Sequence, residues 1–110
     1  MTTPIPAVHY RLTEVTVSAI PEGNVNHTLY SVKVQWRGGE TYAVERHGQV
    51  LGSDGEWDYE PLPSSREDDW IATHRFTYDR AHQLACEAAT HVVVNGFTVA
   101  DVLARSAGAR

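Results

Sequence analysis

His27-Thr-Leu-Tyr-Ser-Val-Lys-Val-Gln-Trp-Arg-Gly-Gly-Glu-Thr-Tyr-Ala-Val-Glu-Arg46 is the stretch that decides the fold. In its first half Tyr30, Val32, Val34 and Trp36 alternate with Ser31, Lys33, Gln35 and Arg37. Period-two alternation marks a strand with one face buried and the other wet. Gly38-Gly39 turns the chain, and Tyr42, Val44 and Arg46 continue on a second strand. The loop length sets the register. A two-residue Gly-Gly loop would pair Trp36 with Thr41 and send Tyr42 to the wrong face. A three-residue loop, Gly38 to Glu40, pairs Trp36 with Tyr42 and Val34 with Val44. The second register buries the apolar set together and is the one predicted.

Upstream, Tyr10 to Ile20 is dense in β-branched residues (Thr13, Val15, Thr16, Val17, Ile20) and reads as a strand. Its apolar phase shifts near Thr13-Glu14, which predicts a bulge or strong twist there. Pro21-Glu22-Gly23-Asn24 is a turn cluster. Downstream, His47-Gly48 turns into a short return strand at Val50-Leu51, and Ser53-Asp54-Gly55 turns again. Trp57 and Tyr59 then alternate with Glu56, Asp58 and Glu60 until Pro61 and Pro63 end regular pairing. Ser64 to Asp69 reads as a polar loop or a helical turn capped by Ser65, and Trp70 to Phe76 as a further strand.

The main helix is predicted over Tyr78 to Ala89. Thr77 is its N-cap, and Asp79 in the first turn complements the helix dipole. Ala81, Leu84, Ala85 and Ala88 make a narrow stripe of small side chains that lets the helix lie close to a sheet. Val92-Val93-Val94 reads as a short buried strand, Asn95-Gly96 as a turn, and Thr98 as the cap of a last helix with Val99, Val102 and Leu103 facing inward. The fold class expected is α+β: a twisted antiparallel sheet of three to five strands, then helix, short strand, helix, with the helices on one face. The 110 residues make one domain. Residues 1–8 and 106–110 are expected to be flexible.

From Leu51-Gly-Ser-Asp-Gly-Glu-Trp57 through Pro61-Leu-Pro-Ser-Ser-Arg66, Trp70 and His74-Arg75-Phe76, the chain resembles small uncharacterised proteins of actinobacteria and their phages. The resemblance covers about half the chain and implies no activity. What it implies is a cytoplasmic accessory protein, of phage type.

Composition narrows the function classes. Cys86 is the single cysteine, which rules out an intrachain disulfide and a multi-cysteine zinc site and points to a reducing compartment, the cytoplasm. No apolar run approaches the roughly 18 residues of a membrane span, and the first residues lack the character of a secretion signal. No membrane association is therefore expected. The net charge is −5. Residues 54–69 hold seven acids against Arg66 alone, so this segment carries −6 and the rest of the chain sums to +1. An acidic chain repels nucleic-acid phosphates, so no direct nucleic-acid partner is expected.

Three constellations could carry chemistry. Asp79, His82 and Cys86 share a helix face, but three ligands from one face leave a metal site incomplete. No metal and no cofactor are expected. The acids Glu56, Asp58 and Glu60 are expected on the wet face of their strand. Catalytic use would require burial to shift their pKa values. The third is an acidic segment with aromatics, in which Trp70 is the tryptophan expected to be exposed, while Trp36 and Trp57 sit at inward phases. Its binding residues are Trp57, Tyr59, Glu60, Glu67, Asp68, Asp69 and Trp70. They suit a protein partner with a basic surface, recognised without catalysis. A homo-oligomer through a free strand edge or the last helix is a second partner expectation. The alternative is a small enzyme or ligand-binding domain, its site between sheet and helix, built on His74 with Glu60 or Asp69 and with Arg75 clamping an anion. This alternative requires His74 to point inward with Trp70 and Phe76. A third reading is nucleic-acid mimicry by the acidic strip.

Overall fold

The computed structural model describes residues 3–108. Five strands form one antiparallel sheet in chain order: β1 (Glu14–Val17), β2 (Val32–Trp36), β3 (Tyr42–Arg46), β4 (Gln49–Leu51) and β5 (Trp57–Tyr59). Three helices follow: α1 (Asp68–Thr73), α2 (Tyr78–Ala89) and α3 (Val99–Gly108). Between α2 and α3 lies a two-stranded hairpin, β6 (Val93–Val94) and β7 (Phe97–Thr98). The class is α+β. Among the described residues no helix is long and apolar enough to cross a membrane.

The register of β2 and β3 is the one read from the sequence, with Trp36 opposite Tyr42 and Val34 opposite Val44. Gly38 and Gly39 take positive φ values of 102° and 54° in the connecting loop, where a side chain would be strained. The face carrying Val15, Val17, Val32, Val34, Tyr42, Val44 and Leu51 packs against α2. Ala81, Ala85 and Ala89 are fully buried there, with Leu84 and Ala88 beside them. The small stripe therefore brings the helix axis close to the sheet, as expected. Thr77 caps α2, its hydroxyl accepting from the Arg80 N–H at 3.2 Å. Thr98 and Asp101 form a reciprocal cap on α3, with bonds of 2.9 and 3.1 Å.

Several elements differ from the reading above. The first strand covers only Glu14–Val17, because β2 ends at Trp36 and residues 10–12 have no strand left to pair with. Residues 27–31 form successive turns rather than strand, closed by bonds such as Tyr30 N–H to the Asn26 carbonyl at 3.1 Å. Tyr30 is still buried, its hydroxyl donating to the Phe97 carbonyl at 2.9 Å. Trp36 is not core. It lies at the end of the sheet, 37% exposed, under the Arg11 guanidinium, and its Nε1 donates to the Gly39 carbonyl. Trp70 to Thr73 is helix, not strand, and Ser65 caps nothing; Glu67 occupies the N-cap position of α1. Leu103 and Val93 face outward. Residues 3–8 are exposed and carry no secondary structure, while 106–108 belong to the last turn of α3. The other terminal positions expected to be flexible lie outside the described residues.

Candidate functional site

β4 leaves its partner at Leu51. Gly52 turns away, bonding the Glu56 carbonyl, and Phe76 takes the vacated position beside Tyr42 with two backbone bonds of 2.8 and 2.9 Å. The chain between, residues 60–75, therefore starts and ends at the sheet. Register places Ala43, Val50 and Asp58 on the face opposite the α2 core, and Ala43 and Val50 are fully buried there.

Glu60 anchors this layer. Its side chain is 17% exposed and receives three arginines: Arg75 through a short hydrogen bond, Arg37 at 3.3 Å and Arg66 at 3.6 Å. Burial by itself would raise the Glu60 carboxyl. The bonds from Arg75 and Arg37, with their charges, outweigh it and hold the group below the ordinary glutamate value. Arg37 also donates to Gln35 at 2.9 Å, and the Arg66 Nε donates to the Pro61 carbonyl at 2.8 Å. Pro61 and Pro63 keep this stretch out of the ladder, and a single 3₁₀ turn, Pro63–Ser65, follows.

His74 is the second anchor, 6% exposed. Its ring stacks on Trp70 with centroids 4.1 Å apart, the i, i+4 contact of a helix. Both ring nitrogens face acceptors: Nδ1 meets the Trp70 carbonyl at 2.7 Å, and Nε2 meets an Asp58 carboxylate oxygen at 2.9 Å. Gly52 leaves room here: a Cβ would stand 3.1 Å from His74 Nε2 and 2.7 Å from Asp54 Oδ1, so His74 and Asp54 would have to shift. The Arg75 guanidinium lies over the Trp70 ring at 5.5 Å.

The residues singled out from the sequence thus separate into two groups. Glu60 and Trp70 face inward and hold the segment; Trp57 packs against the core. Trp70 is half-buried, so the expectation that it is the exposed tryptophan is corrected: the stack with His74 covers it. Asp58 and Glu60 likewise are not a freely solvated pair. Tyr59, Glu67, Asp68 and Asp69 face outward, together with Leu62 and Ile71. Among the described residues the three acids 67–69 form no ion pair. Arg37 and Arg66, which complete the Glu60 cluster, had no signal in the sequence beyond the excess of arginine over lysine.

His74 points inward as the alternative reading requires, but its partners are structural. The cleft between sheet and helix is elsewhere, lined by Arg46, Leu51, Trp57, Leu84, Glu87, Ala88, His91 and Val92, and it contains none of His74, Glu60, Asp69 or Arg75. Arg75 clamps Glu60 rather than an external anion. On α2, Cys86 Sγ lies 3.9 Å from both ring nitrogens of His82, exposed, and no cluster of three metal-ligating side chains occurs among the described residues. No family model matches the chain, and neither the curated proteins nor the solved structures compared with it contain a match.

Proposed function

We propose that the chain is a protein-binding module that docks a basic, partly apolar partner surface through Tyr59, Leu62, Glu67, Asp68, Asp69 and Ile71. The observation that carries this reading is the division within residues 57–75. One set of side chains ties the segment to the sheet, while the carboxylates of residues 67–69 form no ion pair among the described residues, and Tyr59 and Leu62 are 75% and 73% exposed. A segment ordered before binding loses little conformational entropy when a partner docks. Its unpaired acids speed encounter with a positive surface and set orientation, and the exposed rings and aliphatic groups supply the buried contact. The resemblance of residues 51–76 to small actinobacterial and phage proteins supports the role of a cytoplasmic accessory protein.

The test is capture from a host lysate by the immobilised chain, comparing wild type with the Glu67→Lys, Asp68→Lys, Asp69→Lys triple variant and with Tyr59→Ala. The expected result is a captured protein with a basic surface that the triple variant loses and that Tyr59→Ala retains more weakly. Added salt should weaken the wild-type capture. Capture unchanged by the triple reversal would overturn the proposal. Displacement of that partner by duplex DNA would assign the acidic strip to nucleic-acid mimicry instead.

A further inference from the structure

The cleft between the β4–β5 hairpin and the C-terminal half of α2 has a volume of about 600 Å³. That is within the range of small-molecule sites. Its walls are mainly apolar, with Leu51 and Trp57 from the hairpin, Leu84 and Ala88 from α2, and Val92 beyond it. Arg46, which β3 places on the same face as Val44, also lines the cleft.

Arg46 is half-buried. Its Nη1 donates to the Leu29 carbonyl at 3.0 Å and the Ser31 carbonyl at 2.9 Å. Among the described residues it forms no ion pair with any carboxylate. Neutral carbonyls satisfy two donor directions, and burial lowers the pKa of the guanidinium, an effect that the nearby charge of Glu45 offsets only in part. Glu45, its neighbour in sequence, instead accepts from the Gly48 N–H at 2.8 Å. Glu87 of α2 and His91, two residues past its end, line the cleft but are exposed, where water and salt screen them. The α2 carbonyls of Glu87 and Ala88 are already engaged by the N–H groups of Thr90 and His91. A largely apolar cleft lined by an arginine that forms no ion pair among the described residues calls for a ligand of matching build.

We propose that this cleft binds a small monocarboxylate with an apolar body, its carboxylate on the remaining N–H groups of Arg46 and its body between Trp57 and Leu84. An anion there supplies the direct ion pair that Arg46 lacks among the described residues, and a bidentate carboxylate fits the planar guanidinium.

Octanoate, titrated calorimetrically into the full chain, is the probe, with octanol and octylammonium as neutral and cationic counterparts. Saturable binding of octanoate at one site is expected, with octanol weaker by about tenfold or more and octylammonium not bound. Arg46→Gln should weaken octanoate by a similar factor. Because that variant also loses the bonds to Leu29 and Ser31, Ala88→Phe is made in parallel. It keeps Arg46 and fills the slot, and it should abolish binding while the unfolding transition remains cooperative. Octanol binding as tightly as octanoate, no saturable octanoate binding, or full octanoate affinity in Ala88→Phe would each overturn the proposal.

Discussion

At Glu60 burial and charge pairing pull in opposite directions. Leaving water disfavours the carboxylate, and Arg75 and Arg37 restore and exceed what was lost. Its folded pKa is therefore depressed. A depressed carboxyl contributes stability above its unfolded pKa, near pH 4.5, and that contribution is lost as pH falls through the lower folded value. Glu60→Gln leaves three guanidinium groups facing a neutral amide, so it should cost about 3 kcal/mol at pH 7. Urea unfolding at pH 7 and at pH 3 measures this, and the gap between variant and wild type should narrow at the lower pH. An equal gap at both would show that Glu60 acts by shape alone. None of this was legible beforehand. Arg37 lies 23 positions before Glu60 and Arg75 lies 15 after it, so their meeting is a product of the tertiary fold.

Among the elements, α2 and the β2–β3 hairpin were legible because local and long-range demands agree. Thr77 caps where the alanine stripe begins, and the Gly38-Gly39 loop has the length that buries Val34 against Val44. Thr77→Ala should cost about 1 kcal/mol through loss of the cap. Ala85→Leu should cost about 1–3 kcal/mol, since Ala85 is fully buried against the sheet and a longer side chain must push the helix away. Thermal melts followed by circular dichroism check both, with Ala85→Leu the larger shift. The segment that became α1 was not legible. Trp70, Ala72, His74 and Phe76 alternate like a strand, yet Trp70 and His74 also stand one helical turn apart. The ring stack and the acids of the first turn, Asp68 and Asp69, favour the helix. Phe76, two residues later, does pair as a strand would, so the alternation was half right.

At the scale of the molecule, the radius of gyration is 17.8 Å and the long dimension 65 Å. A compact chain of this length would have a radius of about 13 Å. Residues 3–12 contribute to the difference: they are exposed throughout, and Tyr10 is 97% exposed. Brief chymotrypsin treatment should therefore cut first after Tyr10 and leave the rest intact, read by mass spectrometry, because Tyr30 and Tyr42 are buried. A first cut after Tyr59 would mean instead that β5 opens readily. The strand order also bears on how the protein is made. The meander is complete once Tyr59 has left the ribosome, but α2, the lid for its greasy side, ends about thirty residues later at Ala89. At roughly 5–20 residues per second, the nascent sheet waits for about 2–6 s with its valines bare. During synthesis the danger lies in that interval, when neighbouring ribosomes on one message hold identical sticky surfaces within reach of each other.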